Sequence, residues 1–299
     1  MVMVRGAFSN LLAPGFRKIV FETYKERPTE GDRWINMGSS QRAYEEDFPI
    51  AGFGTLLPKG EGAPITYQDA IQGILKRYIW TTFGLGFRIT EEMMEDDLYG
   101  IMGAKMSKAL GRSARNNFEV VTHAVLNSAF DTAVNGFTSG ESLISTSHVT
   151  LRGLTQSNRP ATDTNMSLPA LQAAIEAFHA LNDEAGIPAM FIPKWVIYDV
   201  SNHWIVNQIL KTEKLPGGNQ NDINQLAREG MTGFLDHYLT NPKAWYVLAD
   251  NHDLNYFDRR KPRLTNTDDF ETGDAKFKLT RRNGAGFGDW RGVYGSPGI

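Results

Sequence analysis

The residues from Thr90 to Phe130 constrain this chain most, because they read as one helix too long for a single compact core. Thr90 suits an N-cap, and Glu91, Glu92 and Glu95 put negative charge at the helix start, where the dipole favours it. Met94, Leu98, Met102, Met106, Leu110, Ala114, Phe118, Val121 and Val125 then recur every three or four residues. At about 1.5 Å per residue such a helix runs roughly 60 Å. No heptad seam accounts for that length, and Gly100, Gly103 and Gly111 mark places where it can bend or break. The expectation is a spine on which the rest of the chain is laid.

The flanking segments fit that expectation. Residues 1–48 show few strong helix or strand patterns, but carry Phe16, Phe21, Tyr24, Trp34, Tyr44 and Phe48. A disordered tail would be poorer in aromatics, so this reads as an extended arm with anchors, with an ordinary lead-in packed on its own domain as the alternative. Gly52, Gly54, Pro58, Gly60, Gly62 and Pro64 make a turn-rich stretch. Beyond it Leu75, Ile79, Phe83, Leu85, Phe87 and Ile89 alternate with Lys76, Tyr78, Trp80, Thr82 and Arg88. That is a half-buried strand, with Ile65, Tyr67 and Asp69 on a possible partner strand. A two-stranded excursion is marginal in water and needs a surface to rest on, such as another subunit.

After the spine, residues 131–167 read as polar loops. Ser167 caps a helix over Leu168–Asn182, with Pro169 in its first turn and Gly186 ending it. Ala189–Asp199 reads as a buried strand, residues 201–212 as a helix, Lys214–Asp222 as a flexible loop and Ala244–Asp250 as a second strand. Together these suggest a small mixed α/β unit. From Leu254 to Ile299, LNYFDRR, DAKFKLTRR and DWRGVYGS read as strands returning against the spine.

Catalytic and ligand-binding patterns are missing from the sequence. Gly284, Gly286 and Gly288 lack GxGxxG spacing and a following helix, so a turn between strands is expected there. Asp250, His252 and Asp253 read as a solvated turn rather than a metal cluster, and no HExxH element supports them. His123, His148, His179, His203 and His237 are scattered, and Ser142, Ser145 and Ser147 have no evident base partner. The chain has no cysteine, which removes thiolate metal sites and cysteine nucleophiles. A net charge of −3, from 31 basic and 34 acidic residues, argues against gripping nucleic acid as the main task. The basic clusters at Arg259–Arg263 and Arg281–Arg282 read as solvated strand faces, with a modest patch touching DNA as the alternative. No run of about 18 apolar residues exists, so no membrane partner is expected. No enzyme activity, cofactor or metal is expected.

The order of arm, long hairpin, spine, small α/β unit and returning strands resembles the major capsid protein of tailed bacteriophages, the Hong Kong phage capsid fold. The resemblance is carried by Tyr78–Asp97, Ser113–Phe130, Leu143–Gly153 and Asp274–Gly298, and is closest to the Mu-like phage major head subunit family. It implies an α+β chain with an N-terminal arm (1–48), an E-loop hairpin (49–89), a peripheral domain with the spine (90–187), an axial domain (188–253) and return strands of the peripheral domain (254–299). It further implies self-assembly into hexamers and pentamers of an icosahedral shell enclosing the phage genome, in the virion, after assembly in the host cytoplasm. Implied partners are a separate scaffolding protein (the arm being too short for a cleaved scaffold segment), a portal protein, a possible decoration protein and non-specific contact with double-stranded DNA. Trp34, Phe53, Leu56, Lys59, Tyr67, Tyr78, Trp80, Lys214 and Asn219 are the residues expected at subunit contacts. An encapsulin-like compartment shell is the alternative of the same fold. A soluble α/β hydrolase using residues 237–253 is the alternative of another class.

Overall fold

The computed structural model describes residues 9–62, 64–96, 101–132, 137–138, 140–214, 223–269 and 271–299. In chain order they form α1 (Ser9–Lys25), β1 (Asn36–Ser39), β2 (Tyr44–Asp47), β3 (Ile50–Ala51), β4 (Ile71–Gln72), β5 (Lys76–Ile79) and β6 (Thr81–Ile89). Next come α2 (Glu91–Asp96), α3 (Ile101–Asn127), β7 (Phe137–Thr138), β8 (His148–Val149), β9 (Thr155–Gln156) and α4 (Leu168–Ala180). The rest is β10 (Pro193–Tyr198), α5 (His203–Lys211), β11 (Thr232–Leu235), β12 (Trp245–Ala249), β13 (Leu254–Asp268), β14 (Ala275–Phe287) and β15 (Val293–Ser296). The chain divides into two compact units. One comprises Met1–Tyr44, Ile79–Thr122 and Tyr256–Gly284; the other comprises Glu45–Tyr78, His123–Asn255 and Ala285–Ile299.

The first unit is a sheet with helices on one face. Its strands run in the order β1-β13-β14-β6, and β14 pairs antiparallel with β6 from Ala275↔Ile89 to Asn283↔Thr81. Phe277 and Ala275 pack with Phe16 and Ile89, and Leu279 packs with Val20, Leu110 and Ala114. β13 and β14 therefore lie against the spine, as the sequence suggested, whereas the last expected return strand, β15, pairs with β12 in the second unit. Arg281, almost fully enclosed, holds Asp258 through Nε and Nη2 at 3.0 and 3.1 Å and donates to the Tyr24 hydroxyl at 3.2 Å. One guanidinium thus ties strand, hairpin and α1 together.

Several sequence expectations fail. Residues 1–48 are not an extended arm throughout, since Ser9–Lys25 is a helix. Pro14 and Gly15 stand inside this helix, whose Phe16, Val20 and Thr23 face the core. The spine is α2 and α3, not one described helix; Leu98 and Gly100 lie outside the described residues. Gly103 and Gly111 do not break α3. A Cβ at Gly103 would strike the Phe16 ring, and one at Gly111 would stand 2.6 Å from the Val20 carbonyl oxygen, so both glycines let α1 approach.

A further correction concerns the hairpin. The partner of residues 81–89 is β14, while 64–70 carries no strand; only β3 and β4 pair near its base. The alternation also has the opposite phase before residue 80. Lys76, Tyr78 and Trp80 are buried, whereas Leu75 and Ile79 are exposed. Trp80 interrupts the strand and resets the phase, so that Ile89 is buried further on. The same reading placed a turn at Gly284–Gly288, but Gly284 and Gly286 lie within β14. A side chain at Gly286 would meet the Phe137 ring, which is why this strand needs glycine.

The second unit is built on the sheet β11-β10-β12-β15, in which β10 runs parallel to β11 and antiparallel to β12, and β12 antiparallel to β15. Every residue of β12 is buried. The expected strands at 189–199 and 244–250 and the helix near 201–212 are present with shorter bounds. Helix α4 begins as expected, the Ser167 hydroxyl accepting from Ala170 N–H at 3.3 Å. Phe178 of α4 lies 6.3 Å from the Tyr294 ring of β15. No described helix is long and apolar enough to cross a membrane.

Candidate subunit-contact surfaces

The second unit carries an unusual surface between Phe48 and Leu75. Phe48, Ile50, Phe53, Leu56, Leu57, Ile65, Tyr67, Ile71, Ile74 and Leu75 are all exposed, Leu56 at 95% and Tyr67 at 85%. Isolated exposed apolar residues are ordinary, but a run of them on a segment whose only regular structure is the short β3–β4 pair is not. Few bonds hold the segment. Gly54 N–H donates to Gln68 Oε1 at 2.8 Å, Gly73 N–H to the Pro49 carbonyl at 2.8 Å, and Arg152 Nη2 to the Gly52 carbonyl at 3.1 Å.

Its root, by contrast, is fixed by a buried ionic cluster. Lys76 Nζ lies 2.7 Å from Glu141 Oε1, donates to the Gly288 carbonyl at 2.5 Å and stands 4.8 Å from the centre of the Phe287 ring. Glu141 Oε2 is 3.7 Å from His148 Nδ1. The His148 ring stacks on Trp290 at 3.9 Å and 5°, and its Nε2 is 3.1 Å from Asn158 Oδ1. Asn158 Nδ2 donates to the Leu143 and Val293 carbonyls, so Oδ1 is the acceptor and His148 Nε2–H donates to it. Burial would push the Glu141 carboxyl up; the neighbouring His148 ring and the Lys76 ammonium outweigh it and hold the pKa at about 2. At neutral pH Glu141 is therefore the anion that compensates Lys76. Arg77 clasps Glu46 Oε1 through Nε and Nη2 at 2.8 and 2.5 Å.

The structure divides the residues expected at subunit contacts. Phe53, Leu56, Lys59, Tyr67 and Lys214 are exposed. Trp34, Tyr78 and Trp80 are a correction, because their rings are enclosed within their own unit. Trp80 stacks edge-on to Phe257 at 5.7 Å and donates to the Arg42 carbonyl at 3.0 Å, and Tyr78 sits 4.8 Å from Phe137. Asn219, like all of 215–222, lies outside the described residues. Sequence reasoning missed Trp204, which is 80% exposed on α5. The signal was available, since Val206 and Ile209 take the buried face and leave Trp204 off it.

The residues weighed for chemistry do not converge. Asp250 pairs with Lys194 at 2.6 Å, His252 Nδ1 accepts from Leu254 N–H at 3.3 Å, and Asp253 accepts from Asp289 N–H at 3.1 Å. Asp250 lies in an exposed turn as the sequence suggested, but His252 is buried, so the three are not solvated together. His123 Nε2 and Asp236 Oδ2 meet at 2.5 Å in full burial, a pairing across 113 positions that no spacing rule reveals. Among the described residues, no group of three or more His, Asp or Glu side chains is placed to hold a metal ion.

Residues 76–296 match the family model of the phage capsid protein. No curated protein matches the chain. Among solved structures, the capsid of Myoviridae phage XM1 superposes with a TM-score of 0.56 at 11% identity, covering 88% of this chain and 90% of that one. The procapsid protein of bacteriophage JBD30 gives 0.52 at 16% identity over 97% and 75%. A virus-like particle from Pyrococcus furiosus gives 0.51 at 11% identity over 95% and 98%. The fold is thus that of tailed-phage major capsid proteins, of the Hong Kong phage type. With a family match over well more than half its length, the chain belongs to the phage capsid protein family.

Proposed function

We propose that this chain is the major head subunit of a tailed phage, self-assembling into hexamers and pentamers that close an icosahedral shell around the genome, with no catalytic role of its own. The observation that carries this reading is the uncovered apolar run of Phe48–Leu75 on a rigid root. Such a segment completes its burial only on another molecule, and symmetric repetition multiplies each weak contact. In this reading 49–89 is the E-loop, 1–48 the arm, 188–253 the axial domain, and 90–187 with 254–299 the peripheral domain. Phe53, Leu56, Lys59, Tyr67 and Lys214 are its contact residues. A separate scaffold, a portal, an optional decoration protein and packaged DNA are the partners, and the virion is the location, after assembly in the host cytoplasm. The assignment to the Mu-like branch rests on the sequence stretches alone.

Deleting residues 54–70 is expected to leave soluble, folded subunits that form no shells, with or without scaffold, by negative-stain electron microscopy. Normal particles from that deletion would remove the E-loop assignment. The likeness to the Pyrococcus furiosus virus-like particle favours a second reading, an encapsulin-like compartment. Particles purified with a cargo enzyme and without DNA would decide for it.

A further inference from the structure

The first unit leaves one face of its sheet open, and that face is basic. Odd residues of β14, Phe277 and Leu279, turn to the helices; the even ones, Lys276 and Lys278, turn away and are exposed. In β6 their register partners are Arg88 and Gly86, and Gly84 stands opposite Thr280. Two glycines on one face of the strand remove side chains where the row would be tallest. The result is a trough of about 920 Å³ lined by Arg88, Arg260, Arg263, Lys276 and Lys278 with Thr265 and Thr280.

Two of these five cations have internal partners. Arg88 stands 3.7 Å from Asp274, and Lys276 binds Asp269. Arg260, Arg263 and Lys278 have no ion pair among the described residues. The buried Thr265 hydroxyl has no hydrogen-bond partner either. The same unit carries the opposite charge at one end of that sheet. Glu91, Glu92 and Asp96 of α2 are exposed beside the β13–β14 turn, which adds Asp268 and Glu271; Gly273 of that turn lies against Glu91. The two signs meet within the unit at Arg88–Asp274 and Lys276–Asp269, while Arg260, Arg263 and Lys278 on the face and Glu91, Glu92 and Glu271 at the end present complementary charge, as a surface that meets a copy of itself does.

We propose that the basic trough receives the acidic end, α2 with the β13–β14 turn, of a second copy of this chain. This contact is separate from the loop of residues 54–70 and rests on the shell-forming reading only for its setting. A heterologous, head-to-tail contact of this kind builds rings or nets rather than isolated pairs.

The test is a charge swap in the full chain. Reversing the trough with Arg263→Glu and Lys278→Glu, or the end with Glu92→Lys and Glu271→Lys, changes only exposed side chains. Each pair is expected to lower the yield of closed shells about tenfold or more, since like charges then face each other. Combining all four restores complementarity and is expected to recover most of the yield. In analytical ultracentrifugation the parent's association weakens in about 0.5 M salt, where charges are screened beyond roughly 4 Å. Full shell yield from the trough variant, or a combined variant no better than either parent pair, overturns the proposal. So does a trough variant that builds normal shells but loses bound double-stranded DNA, which assigns the trough to nucleic acid. A parent that associates through both surfaces yet never closes shells sinks the shell reading and leaves this contact standing.

Discussion

The second unit contains both extremes of burial found in the molecule. In β12 all five residues from Trp245 to Ala249 are enclosed, and the Trp245 indole donates to the Thr164 carbonyl at 2.9 Å. Between Phe48 and Leu75 comparable apolar side chains stand in water, and only a few hydrogen bonds hold the backbone. The apolar side chains are of the same kinds; what differs is whether the chain supplies their cover. A strand with neighbours on both edges is finished when the subunit folds, whereas the loop is finished only when subunits meet. Substitutions in the two regions should therefore separate folding from assembly.

Trp245→Ala should show the largest effect. It removes a fully enclosed ring and its hydrogen bond, at a cost of about 3–5 kcal/mol. That is a large part of a typical domain's stability, so the urea midpoint should fall steeply and shells should vanish because subunits unfold. A variant melting within about 0.5 kcal/mol of the parent would mean that β12 is not the core of its unit.

The root of the loop lies between the extremes. Glu141→Gln leaves Lys76 enclosed without its anion, and should cost about 2–3 kcal/mol, less than for a fully enclosed pair because Glu141 is 29% exposed. The pH response follows in sign. Glu141 has its pKa depressed from 4.5 to about 2, so its contribution is complete above 4.5 and is lost as pH falls through about 2. The parent should lose stability over that window more steeply than Glu141→Gln. Parallel stability curves for the two proteins in acid would show that the pair does not hold the root.

How much of this was readable in advance depended on range. Local patterns were reliable. The Ser167 cap, the β10 and β12 strands and the start of α2 after Thr90 follow from residues within a few positions of one another. What failed was set by distant partners. The phase at Lys76, Tyr78 and Trp80 is inverted because a lysine can be enclosed when Glu141 and the Gly288 carbonyl wait for it, and nothing near residue 76 announces them. Helix α1, with Pro14 and Gly15 inside it, was missed because propensity is a weak prior beside packing on Gly103 and Gly111. Of the expected contact residues, Leu56 is exposed in a stretch whose glycines and prolines offer it no local partner, and Tyr67 is exposed because its expected partner strand does not form. Trp34 misled, because an aromatic in a weakly patterned stretch looks the same whether its pocket lies in its own subunit or another's, and Trp80 misled with the inverted phase of its strand.

Leu56→Ser should show the smallest effect on the subunit and is the sharpest of the three tests. At 95% exposure its side chain loses almost nothing within the isolated chain, so the unfolding midpoint should stay within about 0.5 kcal/mol of the parent. Assembly should respond differently. If the side chain is enclosed between copies, each contact loses roughly 1.5–3 kcal/mol of apolar burial. A shell repeats that loss at every equivalent contact, so closure fails even though each term is modest. Light scattering or sedimentation of the purified variant with scaffold would read the yield, and a denaturant curve on the same sample would read the subunit. Unchanged stability with lost shells is the outcome expected of a residue whose core lies in the neighbour. Unchanged stability with full shells would make the exposed loop ordinary surface, and the contrast with β12 would then carry no information about assembly.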